Sequence, residues 1–160
     1  MAKLSAVLMV GIALAGQISY LATSRAQMPN KRFFTIAAVE PRGGVTIAEE
    51  PFPTERLPPG GGYVIRQPDQ TGRWEVSTYV WMPSQIVVNQ GDHVTLEFIG
   101  INGASHPTEI RGLGKTFLLK RGHVTRVEFL ADLPGVYPVI CSTHAPSMRA
   151  EIVVNPATAK

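Results

Sequence analysis

One cysteine, two histidines and a methionine are the residues of this 160-residue chain whose types and spacing could do chemistry. The run Cys141-Ser142-Thr143-His144-Ala145-Pro146-Ser147-Met148 puts a thiolate, an imidazole and a thioether on one short loop. These are soft donors, suited to copper. A second imidazole has to come from elsewhere in the chain, and His106 is the best placed. It follows the turn residues Asn102-Gly103-Ala104-Ser105 and begins a strand in which His106, Thr108 and Ile110 face the same way. The set expected is one metal ion held by His106, Cys141 and His144 with Met148 as a weak axial donor, the arrangement of electron-transfer copper sites. Zinc competes for cysteine and histidine. Met148 argues against zinc, because a thioether is a poor zinc ligand, and copper leads the Irving–Williams order.

Each of these residues also has an ordinary explanation. Free cysteine is among the most buried residue types, methionine fills cores, and a loop histidine is commonly solvated. Their joint placement, at the end of one strand and the start of another, is what favours a metal site. His93 and His123 adjoin glycine turns and read as solvated loop residues. Trp74, Tyr79 and Trp81 read as core or cross-strand packing. Glu109 alternates outward if His106 points inward.

The elements that must hold these donors are strands. Fifteen glycines and thirteen prolines, with no long amphipathic helical run after residue 26, favour short strands joined by turns. Strands are expected over 33–40, 74–82, 86–88, 94–99, 106–111, 116–119, 125–130, 136–141 and 150–154. Gln90-Gly91-Asp92, Asn102-Gly103, Lys120-Arg121-Gly122 and Asp132-Leu133-Pro134-Gly135 supply turns between them. Alternation is clear where Val94, Leu96 and Phe98 oppose Thr95 and Glu97, and where Thr125, Val127 and Phe129 oppose Arg126 and Glu128. In 136–141, Tyr137, Val139 and Cys141 share the core face. The proline-rich stretch 41–72 is expected to be extended loop with a short strand at 63–66 and no chemistry. The fold class is all-β, a sandwich of two sheets.

Residues 1–26 read as a targeting segment: Lys3 at the start, an apolar run over 4–15, and small residues flanking Arg25. A signal peptide is one reading and a membrane anchor over 4–22 the other. Both place the body outside the cytoplasm, in the periplasm or an equivalent compartment. A single cysteine there excludes an internal disulfide, leaving Cys141 as an inert thiol, an intermolecular link or a metal ligand. Without Lys3 and Arg25, thirteen basic residues face twelve acidic ones. No basic stripe remains, so a nucleic-acid partner is not expected. The division expected is 1–26 as signal or anchor, 27–73 as linker and extension, and 74–156 as the metal domain.

Over residues 74–156 the sequence resembles the cupredoxin family. The resemblance rests on Val87-Val88-Asn89-Gln90-Gly91-Asp92, on the run from Val127 to Tyr137 through Asp132-Leu133-Pro134-Gly135, and on Cys141-x2-His144-x3-Met148. Its phrasing is most similar to nitrosocyanin and to the CuA domains of cytochrome oxidase subunit II and nitrous oxide reductase. The resemblance implies a Greek-key sandwich with copper at one pole. Ala145 stands where a dinuclear CuA centre has its second thiolate. His106 stands where nitrosocyanin-like proteins carry a glutamate, and Met148 near their late histidine. The ligand set resembles that of the blue mononuclear carriers.

Three functions compete on this reading. An electron shuttle between transient protein partners needs a buried, rigid metal, and Ala145-Pro146 would offer those partners a flat apolar contact. A copper enzyme acting on a small molecule needs Met148 off the metal. Copper storage or delivery needs exchangeable ligands, which a rigid thiolate site supplies poorly. The shuttle, a protein that is not an enzyme, is the expectation.

Overall fold

The computed structural model describes residues 30–58 and 60–157, so the expected signal or anchor segment lies outside the described residues. Twelve strands form three sheets among the described residues. The strands are β1 (Lys31–Val39), β2 (Arg42–Thr46), β3 (Tyr63–Arg66), β4 (Arg73–Thr78), β5 (Val80–Met82), β6 (Gln85–Asn89), β7 (His93–Gly100), β8 (Ser105–Ile110), β9 (Lys115–Lys120), β10 (Val124–Leu130), β11 (Gly135–Cys141) and β12 (Arg149–Asn155). The first sheet has the order β10-β7-β1-β5, the second β6-β12-β11-β8-β9, and a small third sheet β2-β4-β3.

The first two sheets pack face to face because their alternating sequences each present one apolar side. Ile36, Trp81, Val94, Leu96 and Phe98 of the first sheet join Ile86, Ile110, Leu119, Val139 and Ile152 of the second in one buried cluster. The hairpin β8-β9 passes to β10 in the opposite sheet, and the chain then returns to β11 beside β8. That return is the Greek-key connection. The all-β Greek-key sandwich expected from the sequence is the fold observed.

Three features differ from expectation. The stretch 74–82 is not one strand: β4 belongs to the small sheet and β5 to the first sheet, with Tyr79 at the joint. Residues 41–72 hold β2 as well as β3, and both pair with β4. β1 runs parallel to β7 and antiparallel to β5 as an inner strand of the first sheet, so the sandwich draws strands from both sides of residue 74. Among the described residues no helix is long and apolar enough to cross a membrane.

Candidate metal centre

Two antiparallel neighbours in the second sheet create the site. β11 ends at Cys141, which pairs with Thr108 of β8. His106 lies two residues before Thr108 and therefore on the same face, so Cys141 and His106 are diagonal cross-strand neighbours at one pole of the sandwich. Alternation along β8 buries His106, Thr108 and Ile110 and leaves Glu109 exposed, as expected. The same alternation along β11 buries Val139 and Cys141.

The loop after β11 folds back on its own start. Cys141 N–H donates to the Met148 carbonyl at 3.1 Å, and Met148 N–H donates to the His144 carbonyl at 3.0 Å. Ser142 N–H reaches across to the Pro107 carbonyl at 3.0 Å, tying the loop to β8. This closure brings the His144 ring over Cys141. Cys141 Sγ lies 3.4 Å from His144 Nδ1 and 3.8 Å from His106 Nδ1, and the two Nδ1 atoms are 3.2 Å apart. His106, Cys141 and Met148 have no exposed surface, whereas His144 is half-buried. The backbone of Met148 is thus fixed against Cys141 and His144, with its side chain in the core.

Protonation follows from the partners. His106 Nε2 is 2.7 Å from the Asn102 carbonyl oxygen, which can only accept. With Nε2 donating there, Nδ1, 3.8 Å from Cys141 Sγ, is the nitrogen left to coordinate. Burial, with the neighbouring His106 ring, holds the His144 imidazole below its ordinary range, against a smaller upward pull from Glu40. Its neutral, metal-binding form is thereby favoured.

Aromatic rings wall the pocket. The Trp81 ring of β5 stands 6.0 Å from the His106 ring and 5.4 Å from Phe98, carrying the site into the core. Its buried Nε1 has no hydrogen-bond partner among the described residues. Tyr79 stacks on His144 with centroids 4.0 Å apart and planes at 30°, and meets His106 at 5.7 Å. Burial and the Glu40 carboxylate raise the Tyr79 phenol above its ordinary range. Sequence reading assigned Tyr79 to general packing, and its contact with the donor residues emerges only from the fold.

The donor set fits a copper ion. Bonds of about 2.0–2.3 Å to nitrogen and thiolate separate trigonal donors by roughly 3.5–3.8 Å. The three separations, 3.2, 3.4 and 3.8 Å, fall in that range or just short of it. Two imidazoles with a thiolate suit one copper ion. His106, Cys141 and His144 are the group of metal-capable His, Cys and acidic side chains that converges among the described residues. His93 and His123 are exposed and take no part. Trp74 is buried in the small sheet's own packing, edge-on to Phe52 at 5.5 Å.

No protein-family model matches the chain, and no curated protein matches it. Among solved structures it overlaps a heme-copper terminal oxidase dimer at 20% identity and a TM-score of 0.42, covering 48% of this chain and 56% of that one. The chain thus spans little more than half the length of the oxidase chain. A reduced amicyanin mutant overlaps at 22% identity and a TM-score of 0.38, covering 48% of this chain and 73% of that one. Auracyanin A, described as a "blue" copper protein from the green thermophilic photosynthetic bacterium Chloroflexus aurantiacus, overlaps at 20% identity and a TM-score of 0.40, covering 48% and 89%. Overlaps this partial assign no ligand or activity to the chain; the donor geometry bears on both.

Proposed function

We propose that this cupredoxin-like sandwich holds one copper ion through His106 Nδ1, Cys141 Sγ and His144 Nδ1, with Met148 as a weak fourth donor, and carries one electron at a time. The observation that supports this reading is the convergence of three donor atoms within 4.8 Å of one another on two strand ends and one closed loop. Bound there, copper would supply a one-electron couple. The chain's own part is to keep the donors in place through both oxidation states. β8 and β11 are paired within one sheet, and the loop hydrogen bonds fix His144 and Met148 to the same strand end. A packed core around Cys141 resists rearrangement, which lowers the structural change accompanying each electron.

His144 reaches solvent, whereas His106 and Cys141 do not. Electrons therefore enter and leave at the His144 side, where Ala145 and Pro146 are exposed and offer an apolar contact for a transient protein partner. We place this exchange outside the cytoplasm, on the reading of residues 1–26 as an export or anchor segment. A visible and EPR spectrum of the copper-loaded protein tests the reading. An intense thiolate-to-copper band with one copper per chain is expected. A colourless protein binding only Cu(I), or a wild-type site that takes azide or nitrite readily, would replace the shuttle with delivery or catalysis respectively.

A further inference from the structure

We propose that Tyr79 is a positioning residue of the copper site, held over the His144 ring by the small sheet so as to shut small ligands out of the coordination sphere. The inference rests on the reading of His144 as a ligand. Of the four proposed ligands, His144 alone has exposed surface. One face of its ring is covered by the Tyr79 ring, with centroids 4.0 Å apart and planes at 30°. The same phenol ring meets His106, so one side chain spans both imidazoles.

The placement of Tyr79 is fixed from the small sheet. It is the joint residue between β4, which pairs with β2 and β3, and β5, which pairs with β1. Its neighbour Thr78 donates from Oγ1 to the Gly62 carbonyl at 2.9 Å. Ser147 Oγ, one residue before Met148, donates to that same carbonyl at 3.0 Å. A single acceptor in the turn before β3 therefore fastens both the strand end that carries Tyr79 and the ligand loop. Gly62 has φ +77°, and a Cβ there would come within 2.8 Å of the Ser147 backbone nitrogen, so the contact requires glycine. Gly103 plays a matching part on the other side: a Cβ would sit 2.7 Å from His106 Cε1 and 3.1 Å from Tyr79 Cε1. The proline-rich extension, whose sequence carries no chemical motif of its own, thus becomes a clamp on the metal site.

The test compares wild type with Tyr79→Phe and Tyr79→Leu. In the metal-free protein, NMR of the His144 ring protons reads the stack directly through the ring current. Tyr79→Leu is expected to shift them downfield and Tyr79→Phe to leave them in place. In the Cu(II)-loaded protein, azide titration followed by absorption and EPR reads access. Tyr79→Leu is expected to bind azide at least roughly tenfold more tightly than wild type, a difference of about 1.4 kcal/mol. Tyr79→Phe is expected to match wild type. A Tyr79→Leu protein with wild-type azide affinity overturns the proposal, as does a Tyr79→Phe protein that opens the site like Tyr79→Leu. Should Tyr79→Leu fail to fold, Thr78→Val removes the hydroxyl bond to Gly62 and should move both readouts the same way, less far; no movement in either overturns the clamp. A wild-type protein without a thiolate-to-copper band would instead refute the copper reading, and the metal-free NMR result would still decide whether Tyr79 stacks on His144.

Discussion

The two histidines of the site are held by different means. His106 sits on a strand inside the sandwich, its orientation set by register in β8 and by one hydrogen bond from Nε2 to the Asn102 carbonyl. His144 sits on a loop, half exposed, oriented by an aromatic stack and by the hydrogen bonds of a closed turn. The strand supplies rigidity and the loop supplies contact with the outside. The proposed electron transfer uses both, with one ligand held fixed and another facing outward.

Removing the atom common to both halves should have the largest effect. Cys141→Ser is expected to abolish copper binding and colour together, since Cys141 Sγ forms a triangle with the two Nδ1 atoms, 3.8 and 3.4 Å from them, and a hydroxyl does not replace a thiolate as a copper ligand. Metal analysis and an absorption spectrum check this, and an unchanged spectrum would remove Cys141 from the site.

The histidines should then separate. His106→Ala deletes a fully buried ring from a strand, leaving a hole that the sheet cannot close. Copper should be retained weakly, and added imidazole should refill the hole and restore the spectrum. His144→Ala removes a ring from the loop, and added imidazole should enter more readily there, because the vacated place reaches the surface whereas that of His106 is buried. Imidazole titrations of the two variants measure the difference. Equal rescue would mean that strand and loop do not differ in access, and a spectral effect of His93→Ala in place of His106→Ala would move the ligand.

A smaller effect is expected at the turn that precedes β8. Gly103→Ala places a side chain at φ +75° and pushes it against the His106 ring. A strained backbone of this kind costs about 1–3 kcal/mol. Urea unfolding of the metal-free protein should register that loss, and the His106 ring should shift in NMR. A fully stable Gly103→Ala would show that the strand histidine is less tightly confined than its contacts imply.

The same contrast explains what the sequence disclosed. Strands whose period of two runs unbroken, such as β7 with Val94, Leu96 and Phe98 inward, were legible from alternation. The Cys141-x2-His144-x3-Met148 spacing likewise pointed to the loop half of the proposed site, and His106, read from its turn, converges with Cys141 and His144 in the fold. The joint at Tyr79 was missed because 74–82 is apolar enough to pass for one strand. Yet Trp74 and Trp81 are both buried and seven residues apart, an odd step that a single strand with a period of two cannot place on one face. β2 escaped notice because Gly43 and Gly44 are poor strand formers, and its pairing with β4 supplies what propensity does not. The stack of Tyr79 on His144 joins residues far apart in the chain, and only the packed fold brings them together.

The finest distinction between strand and loop concerns Met148, the last loop residue of the proposed set. Its backbone is bonded to both Cys141 and His144, and its side chain is fully buried, so replacing the thioether by leucine preserves the loop and the volume. A weak axial donor tunes the metal more than it holds it. Met148→Leu is therefore expected to keep copper and colour, with a stability change under about 1.5 kcal/mol. Its reduction potential should rise, because loss of a weak donor destabilises Cu(II) more than Cu(I) and the apolar leucine continues to exclude water. Voltammetry of Met148→Leu against wild type measures this. An unchanged potential, together with azide or nitrite binding by the wild-type protein, would mean that the loop leaves a coordination position open, and the site would then be a catalyst's.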